Sequence, residues 1–189
     1  MKANKLRKSK ALVEKLLLRY YNRDSKAFKI LLKHSECVAE MALEIVDNHP
    51  ELDLDRSFVY EGAMLHDIGV FACHAPGIGC MGEEPYIRHG VIGSEILTME
   101  GLPLHALVCE RHTGVGLSLE AILRRGLPLP HREMVPVSLE EQVVCFADCF
   151  FSKSGDPAEK KSIAQISKGM AKHGQDQVNK FNLWCEKFL

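Results

Sequence analysis

Apolar residues recur at intervals of three and four along most of this chain, and Val, Ile, Thr and the aromatics never alternate long enough to predict a strand. Leu6, Val13, Leu16, Leu17 and Tyr20 share one side of a first helix, from about Lys5 to Tyr21. Ser25 can cap a long second helix that runs to about Asp47, before His49-Pro50 breaks it. Asp53 or Asp55 opens a third, in which Phe58, Gly62, Leu65 and His66 fall at helical spacing and which Gly69 stops. From Val70 to about Pro85 the pattern gives way to a Gly/Pro-rich loop, long for a compact domain and of the kind that serves as a lid. A fourth helix covers about Tyr86 to Glu100, and Pro103 starts a fifth that reaches about His112. Ser118 to Arg125 reads as a short helix ended by Gly126. After a proline-bearing connection, Ser138-Leu139-Glu140-Glu141 is a capping box for a helix to about Phe151. Asp156-Pro157-Ala158-Glu159 should cap the next, and Phe181 to Leu189, with Trp184, should dock as a final helix. The expected fold class is all-α, a single-domain helical bundle.

The informative residues are polar groups that interrupt these apolar stripes. His34 sits among Leu31, Val38, Met41 and Ile45; His89 continues the stripe of Ile92 and Ile96; His112 lies below Val108 and His105. Asp148 is the one carboxylate in the otherwise apolar run Val143 to Phe151. A carboxylate buried without a partner costs several kcal/mol, so Asp148 needs a cation, a hydrogen-bond network or a raised pKa. His66 and Asp67 are adjacent at a helix end, about 100° apart, and converge only on something placed between them. A single such histidine is ordinarily a hydrogen-bonded core residue, but the whole set predicts one polar centre. Four imidazoles and two carboxylates without a thiolate suit iron or manganese best, with cobalt, nickel, zinc or magnesium as further options. Six side chains are too many for one catalytic ion and about right for two divalent ions sharing a bridging carboxylate.

With 189 residues and 46% apolar content the chain can bury a sizeable core. No apolar stretch reaches the length of a membrane span, and the N-terminus lacks a signal peptide's apolar core, so a soluble cytoplasmic protein without a membrane partner is expected. Seven cysteines without a framework read as reduced thiols. Residues 1–33 carry eleven Lys/Arg against Glu14 and Asp24, a local charge of +9 that leaves −10 on the rest. Without aromatic interleaving or a nucleic-acid motif, this arm reads as a solvated helix face, and nucleic acid is not the expected partner.

His34, then His66-Asp67, then Asp148 resemble the H…HD…D signature of the HD-domain superfamily of metal-dependent phosphohydrolases, and His66-Asp67-Ile68-Gly69 resembles its HDIG subgroup. The resemblance covers roughly residues 30–152 and implies an HD-type helical bundle. The expected division of the chain is 1–24 as a basic N-terminal helix, 25–155 as the HD-domain metal-binding core, and 156–189 as C-terminal helices packed on that core. His34, His66, Asp67 and Asp148 would hold a first metal. His89, in Arg88-His89-Gly90, and His112, in Arg111-His112-Thr113-Gly114, match the extra histidines of binuclear members, with Asp67 as the bridge.

The same six ligand types occur in the bacterial symmetric diadenosine tetraphosphate hydrolases, to which this chain is similar. Val70 and Phe71 stand where HD-GYP phosphodiesterases usually carry a lysine, Thr113 replaces the second histidine of their His-His-Glu motif, and no Gly-Tyr-Pro follows, so cyclic di-GMP cleavage is not expected. The resemblance implies hydrolysis of a phosphoester or phosphoanhydride bond in a nucleotide or other small phosphorylated molecule by a metal-activated hydroxide. Arg88 and Arg111, beside proposed ligands, would act with Asp67 in catalysis as phosphate clamps, and Lys153 is a third substrate-binding candidate. Glu83, Glu84, His105 and His131 are available as general acids. Cys73, His74 and Cys80 offer three donors at a spacing unlike zinc knuckles, so their loop reads instead as a mobile cover. Cys109, Cys145 and Cys149 read as core-packing residues. A metal- or nucleotide-binding sensor without turnover and a di-iron oxygenase of the same fold are the alternative functions.

Overall fold

The structure, a computed structural model, describes residues 2–189, with side chains from residue 5 onward. Helix α1 (Lys2–Tyr20) leads into α2 (Lys26–Asn48), whose N-cap Ser25 accepts the Phe28 N–H on its hydroxyl. Leu31, His34, Val38, Met41 and Ile45 are all buried on one face of α2, the stripe anticipated from spacing. Helix α3 (Arg56–Leu65) is capped by Asp55, whose carboxylate accepts from the N–H groups of Ser57 and Phe58 and also pairs with Lys5 of α1. A 3-10 turn, Ile68–Ala72, follows the His66-Asp67 corner.

The long loop is ordered by its own pairing. Strands β1 (His74–Ala75) and β2 (Cys80–Met81) form a two-residue antiparallel ladder, His74 opposite Met81 and Ala75 opposite Cys80. Two residues per strand are too few for any alternation to register in sequence, which is why no strand was expected. A 3-10 turn at Tyr86–Arg88 then delivers α4 (His89–Met99), followed by α5 (Pro103–Arg111) and the short α6 (Leu119–Arg124).

Helix α7 (Leu139–Asp148) carries the anticipated capping box, with Ser138 and Glu141 exchanging hydrogen bonds. It ends at Asp148 rather than Phe151, because Phe150 and Phe151 turn back onto the carbonyls of Ala147 and Asp148. Asp156 does not open a helix. Its carboxylate accepts from the Ala158 N–H and its carbonyl from the Glu159 N–H, a closed turn. Helix α8 (Ile163–Met170) opens later, behind a second capping box made by Ser162 and Gln165. The final helix, α9 (Gln175–Phe188), begins before Phe181.

These helices enclose one main core. α2 packs on α3 and α7, α1 lies against α3, and α4 pairs with α5. Phe181, Trp184 and Phe188 of α9 surround Phe146 of α7, with ring centroids 5.6, 6.4 and 5.5 Å away. Val13, Leu16 and Leu17 of α1 belong to the same cluster, so both ends of the chain join the core. Among the described residues no helix is long and apolar enough to cross a membrane.

Two glycines set how closely α4 approaches its neighbours. A Cβ on Gly69 would lie 2.4 Å from the Gly93 nitrogen and the His89 carbonyl oxygen, and one on Gly90 2.5 Å from the Cys109 carbonyl oxygen. Backbone therefore packs on backbone where the His66-Asp67 corner, α4 and α5 meet.

Candidate metal centre

That contact brings five helical segments to one point. His34 comes from the middle of α2, His66 and Asp67 from the end of α3, His89 from the start of α4, His112 from the end of α5, and Asp148 from the end of α7. The ligand-type atoms form two groups that share Asp67: His34, His66, Asp67 and Asp148, and Asp67, His89 and His112, each with its atoms within 4.8 Å of one another.

The two oxygens of Asp67 divide the groups between them. Oδ2 lies 3.3 Å from His34 Nε2 and 3.0 Å from His66 Nε2, and those two nitrogens lie 3.0 and 3.4 Å from Asp148 Oδ1. Oδ1 lies 3.3 Å from His89 Nε2 and 3.5 Å from His112 Nε2, which are themselves 3.0 Å apart.

Ring orientation follows from local helix geometry. Nδ1 of His66, His89 and His112 meets the carbonyl oxygen three residues earlier, at Ala63 (2.6 Å), Tyr86 (2.6 Å) and Cys109 (2.7 Å). A carbonyl only accepts, so each Nδ1 carries the proton and each Nε2 is left to face the cluster. Around Asp67 Oδ1, two imidazole nitrogens and a carboxylate oxygen then meet, and Oδ1, fully buried, receives no hydrogen bond. Buried acceptors gathered without a donor cost free energy unless a cation sits among them, so these residues fit a divalent ion.

The two carboxylates give the cluster a negative potential that draws positive charge to it. Burial opposes the His66 imidazolium, yet Asp67 and Asp148 outweigh it and push its pKa up to about 10. Burial works against both carboxylates too. The charges of His66 and Lys153 hold Asp67 well below the usual range, and hydrogen bonds from His34 and His66 do so for Asp148. His89 moves the other way: burial takes it down to about 4, against the pull of Asp67, so it stands neutral.

All six anticipated ligands are therefore together. Lys153 is also at the centre, its ammonium on Asp67 Oδ2 and 3.4 Å from His34 Nε2. Arg88 and Arg111 are engaged elsewhere. Arg88 pairs with Glu84 at 2.8 Å and donates to the Pro128 carbonyl, while Arg111 donates to both oxygens of Glu141, two helical turns along α7 from Asp148. A positively charged neighbour of a ligand in sequence points away from it around the helix, which is the reason for the difference. His105 is bound to Glu61 at 2.8 Å, and Glu83 and His131 are exposed, so none of these candidate acids contacts the cluster.

Cys73 and Cys80 are buried while His74 is exposed, and among the described residues they form no metal-type group. Cys109 and Cys145 donate their thiols to the carbonyls of Leu65 and His112 at 3.2 and 3.1 Å, bracing the ligand-bearing corners. Sequence reasoning missed Tyr86, whose ring lies 4.8 Å from that of His89 and whose phenol faces Lys153. Its position three residues before a candidate ligand was the available signal.

Four histidines and two aspartates gathered in this order inside an all-helical bundle make a group that could hold metal ions. The chain belongs to the HD domain family, whose model matches residues 31–151. It is 37% identical to an uncharacterized protein of Methanocaldococcus jannaschii over 60% of this chain and 59% of that one. It is also similar to two proteins named tRNA (cytidine(56)-2'-O)-methyltransferase. For that of Picrophilus torridus the identity is 32% over 63% of this chain and 30% of the relative; for that of Thermoplasma volcanium it is 29% over 84% and 41%. The chain thus spans less than two thirds of each of these relatives. No solved structure matches it.

Proposed function

We propose that this chain is a metal-dependent phosphohydrolase that cleaves a phosphoester or phosphoanhydride bond of a nucleotide or another small phosphorylated molecule. The observation that carries the reading is the division of Asp67, one oxygen toward His34, His66 and Asp148 and the other toward His89 and His112. Those six residues would hold two divalent ions, iron or manganese by the nitrogen and oxygen character of the donors. When bound, such ions supply Lewis acidity toward water and phosphoryl oxygens.

The chain's own residues do the rest. His34, His66 and Asp67 are closed to solvent, whereas the side chains of Asp148 and Lys153 are 17% and 13% exposed, so the substrate meets the cluster on their side. Lys153 places a fixed positive charge there for a phosphoryl oxygen, and Tyr86 lies beside it. Phosphoryl transfer is governed by positioning and electrostatics, which this arrangement offers without a covalent nucleophile.

Two of the relatives are named for a reaction on tRNA, and this chain spans only 30% and 41% of them. RNA 5′- and 3′-terminal phosphates therefore belong among the substrates tested. The decisive experiment strips the protein of metal, reloads it with manganese or ferrous iron, and follows phosphate release from p-nitrophenyl phosphate, nucleotides and RNA ends. Turnover that requires metal and falls at least about a hundredfold in Asp67→Asn is expected. Metal uptake without turnover on any substrate would favour a sensor, and oxygen consumption with a polyol or phosphonate would favour an oxygenase. In parallel, elemental analysis should show Asp148→Ala and His89→Ala each losing metal; full metal content in both would overturn the ligand assignment.

A further inference from the structure

A cavity borders the cluster at Asp148. A hollow of about 670 Å³ is lined at its inner end by Asp148 and Lys153, the two most exposed members of the cluster, and by Tyr86. Phe151 and, from α8, Ile166, Gly169 and Met170 add an apolar strip to the lining, with the polar Gln165 and His173 beside it. Asp148 is the one acid in the lining, beside Lys153 and Lys161, so the lining taken as a whole carries an excess of positive charge that suits an anionic ligand. A hollow of this size is in the range that encloses one drug-sized ligand. A slightly larger one, about 740 Å³ beside α1, is lined by Asp47 and Asp55, which already pair with Arg56 and Lys5, and it has no link to the cluster.

The family model ends at residue 151, while Ile166, Gly169 and Met170 lie beyond it. Asp148 thus belongs to the matched core, while Lys153 and the α8 residues of the lining come from the segment that follows it. We propose that α8 is the specificity wall of the enzyme. In that arrangement Ile166, Gly169 and Met170 receive the alcohol part of a phosphomonoester, an uncharged, largely apolar or aromatic group of nucleoside size, while its phosphoryl group lies at Asp148 and Lys153. The inference rests on the phosphohydrolase reading for the identity of the inner group.

Gly169 makes the wall testable. Gly169 lines the cavity, a Cβ built there meets no heavy atom within 4 Å, and replacing a glycine inside a helix favours the helix, so a larger side chain can be added at the cavity's edge without a clash. The probes are nucleoside 5′-phosphonates, whose P–C bond resists hydrolysis, and methylphosphonate, which has a similar head and no nucleoside. Affinities are measured calorimetrically on manganese-loaded protein for wild type and Gly169→Ala, Gly169→Leu and Gly169→Trp, with melting temperature and metal content recorded for each.

The expected result is that wild type prefers at least one nucleoside phosphonate over methylphosphonate by tenfold or more. The preference should persist in the alanine variant and shrink stepwise to nothing in the tryptophan variant, with methylphosphonate affinity and metal content unchanged. If wild type binds methylphosphonate but no nucleoside phosphonate more tightly, or if the preference survives in Gly169→Trp, the specificity wall is overturned and the phosphohydrolase reading stands. If metal-loaded wild type binds neither probe, both fall.

Discussion

Single atoms decide the chemistry of this centre. Because Nδ1 of His66, His89 and His112 is held by a carbonyl of the same helical turn, each ring has only Nε2 to offer, and Asp67 Oδ1 is left among acceptors. The six residues themselves were legible: His34, His89, His112 and Asp148 interrupt apolar runs, and His66 and Asp67 stand side by side at a helix end. The roles of Arg88 and Arg111 were not legible, because adjacency in sequence says nothing of which way round the helix a side chain departs. Arg111 serves the fold, as the partner of Glu141, whose side chain is 7% exposed. Arg111→Met should therefore cost about 2 kcal/mol in denaturant unfolding, by leaving a buried carboxylate short of its cation, while KM for a phosphomonoester stays the same. Lys153→Met should do the reverse, raising KM at least about tenfold, the equivalent of one charge-assisted hydrogen bond.

Glu61 supplies a pH dependence outside the cluster. A hydrogen bond from His105 lowers its pKa from the ordinary 4.5, burial opposes that, and Ser9 adds a second lowering bond. A carboxyl depressed on folding contributes stability that is fully present above pH 4.5 and is lost as pH falls through the depressed value. Its partial exposure limits the contribution to about 1 kcal/mol. Urea unfolding between pH 3 and 7 should show Glu61→Gln less stable than wild type at pH 7, with the gap closing below pH 4.5.

At the scale of elements, the caps explain both the successes and the misses of sequence reading. Ser25, Asp55 and Ser138 start α2, α3 and α7, each by accepting backbone N–H groups. Asp156 has the same chemistry but closes only a turn, while Ser162 has the better box because Gln165 answers it. A cap motif states where a helix can start, and the apolar residues behind it decide whether it does. The junction of α4 with the His66-Asp67 corner depends on missing side chains rather than on caps. Gly69→Ala places a Cβ 2.4 Å from two backbone atoms of α4, which neither segment can accommodate by moving a side chain. A loss of about 2–3 kcal/mol on thermal unfolding is expected, with metal content reduced as His89 is pushed outward. A variant as stable as wild type would show that α4 is free to shift.

Over the whole molecule, the core and the centre are separable in energy though not in sequence. The aromatic group around Phe146 ties α9 to α7, and Phe181 is fully buried in it. Phe181→Ala should cost about 3–5 kcal/mol by opening a cavity, a result readable as a lower denaturation midpoint, while the metal-loaded protein keeps its metal stoichiometry. The all-helical architecture could be anticipated because helical periodicity persists over most of the chain. The relation of α8 to the cavity could not, since it depends on how the segment after Phe151 folds back. Nothing in the periodicity of residues 152–162 records that path.

The tether between Nδ1 of His66, His89 and His112 and the carbonyl one turn back has a kinetic meaning. Rings oriented by the turn that carries them do not wait for an ion to arrange them. Loading should then proceed at the pace of ligand exchange and proton release. Mixing the stripped protein with manganese in a rapid-mixing experiment should give uptake that quickens in proportion to ion concentration, with no plateau from a slow rearrangement.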